Sequence, residues 1–421
     1  MKTTKTVALA LLLCLATVAT ATAQQPLPSA RPEQVGLSAD RLARITAWLR
    51  NDSEKGDIPG AVLLVARHGK IAYFEAVGVR DPQTRTAMTR DTIFRIYSMS
   101  KPITSVTAMM LFEEGKLGLA DPVSKYIPAF KSMKVADKSG ELVPAAREMT
   151  VHDLFRHTAG LTYGFFGDTP AKRAYLESGV GLGVDQSNAE LVEQLAKLPL
   201  GYHPGTTWDY SHATDVLGRV IEVVSNAPLS QVMRERVLDP LGMRDTMFYV
   251  TDPARQQRLA EPFPNDRSIG AGAVIGDPRV AGKYESGGGG LVSTATDYAR
   301  FLQMVLAGGT LGGKRILGPK TVAYMGSDHL GSVVTPGPYY LPGPGYGFGL
   351  GFAVRKEAGV SPYAGSVGEL NWGGAGGTYM WVDPKEDLFV VYMMQSPGKR
   401  TYYRGILKDM VYAALDRTAT R

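Results

Sequence analysis

Cysteine is almost absent. The 421 residues contain one, Cys14, and it lies in the N-terminal stretch. Once that stretch is removed the chain has no thiol, which excludes disulfides and thiol catalysis and leaves stability to a packed core. Long apolar runs are also scarce. Val7 to Val18 is the one marked run, and it is short for a bilayer span. Charge of one sign does not accumulate either: 46 Lys and Arg against 40 Asp and Glu give +6, and loss of Lys2 and Lys5 lowers this to +4. No basic tract reads as a nucleic-acid surface, and the mixed charges read as a solvated exterior. Two catalytic signatures are missing. There is no Gly-x-Ser-x-Gly elbow, which disfavours an α/β-hydrolase triad, and no His-Glu-x-x-His, with the six histidines scattered, which argues against a zinc hydrolase.

The N-terminus has the parts of an export leader: Lys2 and Lys5, the apolar run, then Ala21-Thr22-Ala23 as a small-x-small cleavage site. Residues 1–23 are expected to be a signal peptide, cleaved near Ala23 to start the mature chain near Gln24. The protein is expected to be periplasmic or secreted and not held in a membrane. Leu11-Leu12-Leu13 before Cys14 makes a poor lipoprotein site.

The mature length supports a large core and two lobes. Ser38 caps a helix carrying Leu42, Ile45 and Leu49 at helical spacing. Ala61 to Arg67 and Lys70 to Val77, joined by His68-Gly69, read as a hairpin. A second hairpin is expected from Thr378 to Val382 and Leu388 to Met394, with a turn over 383–387, followed by a last helix from about Tyr402 to Leu415. From about Met149 to Met243 the patterns are mostly helical, as in Ala189 to Ala196 and Asp215 to Ser225. The economical fold is α+β: an antiparallel sheet flanked by helices, built from residues 24–145 and 285–421, plus a mostly helical lobe over 146–284, with a site between them. Gly287-Gly288-Gly289-Gly290 and Thr335 to Gly351 read as loops, the second at a pocket rim. There is no internal repeat.

The chemistry starts at Ser98-Met99-Ser100-Lys101, which follows a strand-like run, Thr92 to Tyr97, and opens a helical run through Val106, Met109, Met110 and Phe112. A serine hydroxyl needs a group to take its proton, and a lysine three residues on shares its helix face. Ser-x-x-Lys recurs at Ser396-Pro397-Gly398-Lys399, but Pro-Gly inside it is a turn signal, whereas Pro102 suits a first helical turn. Tyr210 follows the turn Pro204-Gly205-Thr206-Thr207-Trp208-Asp209. Further on, Asn371-Trp372-Gly373-Gly374-Ala375-Gly376-Gly377 allows close backbone approach to a ligand. Tyr163, Phe165 and Phe166 line either an acyl pocket or the lobe core. Tyr339 and Tyr340 read as loop packing, and His157 and Trp208 as structural.

Ser98-x-x-Lys101, Tyr210-Ser211 and Trp372-Gly373-Gly374, in this order, resemble the serine β-lactamase-like superfamily, and within it the family VIII carboxylesterases, relatives of class C β-lactamases and DD-peptidases. His157-Thr158-Ala159-Gly160-Leu161, Pro240-Leu241-Gly242-Met243, Gly289 to Asp297 and Gly347 to Phe352 extend the similarity to nearly the whole mature chain, from about Pro32 to Met394. The resemblance implies the β-lactamase/transpeptidase-like fold and a serine hydrolase without metal or cofactor. Ser98 would carry the acyl group, Lys101 in its neutral form would accept the serine proton, and Tyr210 would pass it to the leaving alcohol. The residues leave open which of the two is the base. The N–H groups of Ser98 and Ala375 would form the oxyanion hole. Trp372, Gly373, Gly374, Tyr163 and Phe166 would contact the substrate.

Two departures bear on the substrate. Lactamases and DD-peptidases carry Lys-Thr-Gly or His-Thr-Gly where this chain has Trp372-Gly373-Gly374. Trp372 offers an N–H donor but neither a cation nor a hydroxyl for a carboxylate. His212 replaces the asparagine of Tyr-x-Asn and reads as a spacer. The first shifts the implied substrate toward neutral esters, and the implied activity is hydrolysis of small-molecule short-chain acyl esters, with weak β-lactam hydrolysis as a side activity. The alternatives are a class C-like β-lactamase or DD-peptidase on the same residues, and a non-catalytic cell-wall-binding protein.

Overall fold

Strand β1, Gly60–Arg67, is buried at all eight positions. Such a strand needs cover on both faces, and its uninterrupted apolar run shows this in the sequence. The computed structural model describes residues 26–181, 185–266, 276–332 and 334–416. The leader expected over 1–23 lies outside the described residues. On one face, Val62, Leu64 and Ala66 join a large apolar cluster with Ile103, Val106 and Met109 of helix α2 (Ser100–Glu113). On the other, Leu63 and Val65 pack with Leu42, Ile45 and Leu49 of α1 (Ala39–Glu54). Alternate residues pointing to opposite faces produce this division.

β1 is central to an eight-stranded antiparallel sheet. The other strands are β2 (Lys70–Asp81), β3 (Thr86–Ala87), β4 (Tyr346–Phe348), β5 (Ala353–Arg355), β6 (Leu370–Gly373), β7 (Tyr379–Asp383) and β8 (Leu388–Met394), in the order β4-β5-β6-β7-β8-β1-β2-β3. Both expected hairpins are present. His68 and Gly69 have φ of 52° and 70°, the left-handed pair that matches strand twist in a two-residue turn. The second turn is held by Asp383, whose Oδ1 accepts the N–H groups of Lys385 and Glu386 at 3.0 and 3.2 Å. Ser38 caps α1 by accepting the Arg41 N–H.

Between the two halves of the sheet lie α3 (Asn188–Leu195), α4 (Ala213–Ser225) and shorter helical turns. α4 packs against α2, and α2 is buried from Ser100 to Met109, so it serves as the central helix of the molecule. The cluster that begins under β1 continues through α2 to Val216, Leu217 and Val220 of α4. α5 (Ala295–Leu306) covers the sheet beside α2, and α6 (Arg400–Ala413) lies beside α1. Thr335 to Gly351 is not wholly loop: Tyr346–Phe348 forms the edge strand, and Thr335–Pro336 pairs in parallel with Thr207–Trp208. An edge strand needs a partner on one side only, so its Gly-rich sequence shows little alternation.

The turn that leads to the site is held by Asp153. Its buried carboxylate accepts from Arg147 at 2.6 and 3.0 Å, the Thr150 N–H and hydroxyl at 2.9 Å each, Arg156 at 3.1 Å and the Thr158 hydroxyl at 2.7 Å. Burial pushes this carboxyl up, but Arg147 and the hydrogen bonds outweigh it and hold it at about 2. A carboxyl held below its unfolded value, about 3.9, contributes stability that is present above that pH and lost as the pH falls through the folded value. Asp153→Asn is expected to cost about 3–5 kcal/mol at neutral pH. It is also expected to flatten the acid limb of stability below about pH 4. Denaturant melts across pH check both.

Candidate active site

Ser98 lies at a strained turn. Phe94–Arg95 pairs with Val292–Ser293, and Ile96 N–H donates to Leu291 O at 3.0 Å. Tyr97 then takes φ 43°, a conformation that costs energy in a bulky residue and persists only where the surroundings impose it. A 3₁₀ turn over Tyr97–Met99 presents Ser98 before α2 starts at Ser100. The helix therefore opens two residues later than the sequence pattern implies. Lys101 in its first turn is 1% exposed. Its Nζ donates to Gly288 O at 2.7 Å, Ser98 Oγ at 3.4 Å and Tyr163 Oη at 3.4 Å.

Tyr210 is brought in by backbone bonds to the Asp153 turn: Asp209 N–H donates to His157 O at 3.0 Å and Gly205 N–H to Thr158 O at 2.7 Å. Lys101 Nζ sits 4.5 Å from the Tyr210 ring centroid. Trp372, Tyr163 and Phe166 surround that ring at 5.5, 5.4 and 6.0 Å. Tyr210 Oη and Trp372 Nε1 are buried and have no hydrogen-bond partner among the described residues. His157 is structural, as expected. Its ring lies 4.8 Å from Tyr210, its Nδ1 meets Ser211 Oγ at 3.3 Å, and burial with the Lys101 charge holds it well below the usual histidine range.

The Trp372 segment closes the site because glycine removes bulk. β5 pairs with Leu370 and Asn371 and goes no further along β6. Beyond Gly373 the chain turns against the Ser98 loop. A Cβ on Gly374 would lie 2.2 Å from Ile96 O, and one on Gly376 2.8 Å from the Tyr97 ring. Thr378 Oγ1 donates to Ile96 O at 3.3 Å, and Gly377 has φ 119°. From the opposite face Arg404 of α6 donates to Gly374 O and to Thr378 O. Ala375 is thus held in a turn pinned on both sides.

The structure brings together Ser98, Lys101, Tyr210, Tyr163, Phe166 and the Trp372–Ala375 segment. Tyr163 stands closer to the chemistry than the wall position expected from sequence, because its hydroxyl meets Lys101. Phe166 lies between Tyr210 and Tyr339 at 6.0 Å from each. The second Ser-x-x-Lys is dismantled: Ser396 Oγ donates to Asp266 at 2.9 Å while Lys399 Nζ donates to Asp57 at 2.9 Å. The sequence reading missed the parts that three residues play at the site. Gly288 supplies a carbonyl, which no side-chain pattern reveals, although the glycine run marks a close approach: a Cβ there would lie 2.8 Å from Asp215 Oδ2. Asp215 is buried and accepts from Ser286 Oγ at 2.5 Å, Gly288 N–H at 3.0 Å and His212 Nδ1 at 3.2 Å. Burial raises its carboxyl, but His212, Lys101 and Ser286 outweigh this and bring it to about 2. His212 is thus more than a spacer. Among the described residues no group of His, Cys, Asp and Glu could hold a metal ion.

A hydroxyl beside a buried amine, with a glycine-padded backbone turn facing it, is the arrangement of a serine acyl-transfer enzyme. The Beta-lactamase family model matches residues 45–409, and the chain belongs to the Beta-lactamase family; it is a serine hydrolase of that fold. Relatives include Protein Rv1367c of Mycobacterium tuberculosis, 38% identical over 83% of this chain and 88% of its own. Esterase EstB of Burkholderia gladioli is 33% identical over 89% of this chain and 96% of its own. Among solved structures, EstCE1, described as a hydrolase with promiscuous acyltransferase activity, superposes with a TM-score of 0.76 at 32% identity, covering 89% of this chain and 99% of its own.

The glycine contacts make a direct test. Gly374→Ala is expected to push the Ala375 turn away from Ile96 and to lower kcat by about 10²–10³, the usual cost of one oxyanion donor. Steady-state hydrolysis, with circular dichroism to verify folding, measures it.

Proposed function

We propose that the protein is an exported serine carboxylesterase that hydrolyses small neutral esters with short acyl chains. The contact between Lys101 Nζ and Ser98 Oγ carries this reading. In acylation, Ser98 Oγ bonds to the ester carbonyl carbon as its proton passes to neutral Lys101. The carbonyl oxygen gains charge toward the N–H groups of Ser98 and Ala375. The C–O bond to the alcohol breaks, and the proton leaves with it by way of Tyr210. Water then repeats the sequence on the acyl-enzyme and releases the acid.

Substrate class follows from what surrounds the serine. The third segment offers Trp372 and two glycines where a carboxylate-binding enzyme would place a cation and a hydroxyl. Phe166 and Trp372 form apolar walls, and the unpartnered Tyr210 Oη and Trp372 Nε1 suit ester oxygens. Esterase EstB and EstCE1 are in keeping with this reading, and β-lactam hydrolysis is at most a weak side activity. Export rests on the leader pattern before Gln24.

The experiment is a side-by-side panel of p-nitrophenyl acetate to caproate, long-chain esters and nitrocefin. Short esters are expected to have the highest kcat/KM, and Ser98→Ala is expected to abolish turnover. Undiminished activity in Ser98→Ala sinks the assignment. A far higher kcat/KM for nitrocefin would make the protein a β-lactamase.

A further inference from the structure

Lys101 has three places around its nitrogen. The ammonium fills them with three N–H donors, and the neutral amine with two donors and one lone pair. Three oxygens lie within reach: Gly288 O at 2.7 Å, Tyr163 Oη at 3.4 Å and Ser98 Oγ at 3.4 Å. The Gly288 carbonyl can only accept, so it always takes one N–H. If Tyr163 Oη accepts a second, the remaining place faces Ser98. That place is the lone pair when Lys101 is neutral and the proton when it is charged. Without the Tyr163 oxygen, the amine is free to turn about its Cε–Nζ bond and point its lone pair elsewhere.

Both acceptors are anchored to one carboxylate. Asp215 Oδ1 accepts the Gly288 N–H at 3.0 Å and the Ser286 hydroxyl at 2.5 Å, which fixes the glycine whose carbonyl holds Lys101. Asp215 Oδ2 meets His212 Nδ1 at 3.2 Å. A carboxylate only accepts, so Nδ1 carries the proton. The His212 ring then stands edge-on to Tyr163 with centroids 4.4 Å apart. Phe165 stacks on Tyr163 at 5.0 Å, and Tyr210 meets it edge-on at 5.4 Å. With Phe166 at 6.4 Å, the Tyr163 ring has four aromatic supports, and its hydroxyl stays at Lys101. Burial, with Asp215 and Tyr210 near, pushes the Tyr163 phenol well above its ordinary range, so it stays protonated throughout.

We propose that Tyr163 is a positioning residue for the base: with the Gly288 carbonyl it occupies two of the three places on Lys101 and directs the third at Ser98, and Asp215 anchors both. Tyr163 gains and loses no proton. The Ser98 proton moves to the Lys101 lone pair as Oγ bonds to carbon, and leaves with the alcohol. This rests on the reading of Ser98 as nucleophile and Lys101 as its base, and it replaces the role of acyl-pocket wall for Tyr163.

The test is Tyr163→Phe, which keeps the ring and its packing and removes the acceptor. The second-order rate of Ser98 labelling by a fluorophosphonate probe reports activation of the serine whatever the natural ester is. It is measured with kcat and KM for p-nitrophenyl acetate and with Tm. Labelling and kcat are expected to fall about 10- to 100-fold, with KM within about twofold and Tm within a few degrees of wild type. Unchanged labelling overturns the proposal: a raised KM then makes Tyr163 a substrate wall, and an unchanged KM makes it packing. Asp215→Asn is expected to slow labelling too, and wild-type labelling there removes the anchor. A wild type that is not labelled overturns both this proposal and the nucleophile assignment. One that is labelled but turns over none of the esters overturns the substrate class and leaves the Tyr163 comparison standing.

Discussion

An amine held out of water is the constraint around which this molecule is arranged. Lys101 is 1% exposed, and a buried amine is costly unless every donor finds an acceptor. The acceptors come from three separate stretches of chain: Ser98 from the turn before α2, Tyr163 from the helical segment and Gly288 from the glycine run before α5. Tyr210 adds an aromatic face 4.5 Å from the nitrogen. Satisfying one nitrogen therefore requires the helical segment and the sheet to meet across α2.

Close approach is what the glycines make possible, and each works against a particular atom. Gly288 lets the chain lie against the Asp215 carboxylate, and Gly374 against Ile96 O. The strained Tyr97 is held between the Val292–Ser293 pairing and the Gly374–Gly377 turn, so the distortion at Ser98 is sustained by two separate segments from the later half of the chain. Strain of this kind lasts only when the surroundings over-determine it. Arg404 extends the support through the sheet, linking α6 to the back of the Ala375 turn. A helix more than 300 residues from Ser98 in sequence thereby shapes the edge that faces it.

Much of this was legible in the residues. The unbroken apolar run of β1 signals a strand covered on both faces, His68-Gly69 a tight turn, and Ser38 a helix start, because each depends on neighbours a few positions away. Ser98 and Lys101 are readable for the same reason: three residues place them on one side of one turn. The edge strand Tyr346–Phe348 was not readable, since a Gly-rich strand paired on one side has little pattern to show. Nor was the part played by Gly288, a backbone oxygen that no residue type encodes, or by His212 and Asp215, whose three-residue spacing is local but whose places beside Tyr163 and Gly288 are set by packing.

By itself the sequence determined the periodicities, and with them the elements: a two-sided sheet, a buried central helix, glycines where bulk is forbidden, and a serine with its lysine. Those features follow from local geometry and side-chain chemistry. Tertiary structure alone decided which oxygens surround Lys101, that Tyr163 touches the amine, and that Ser396 and Lys399 part toward Asp266 and Asp57. Hydrogen bonds act over about 3 Å, and chain segments a hundred residues apart reach that distance only after the core has packed.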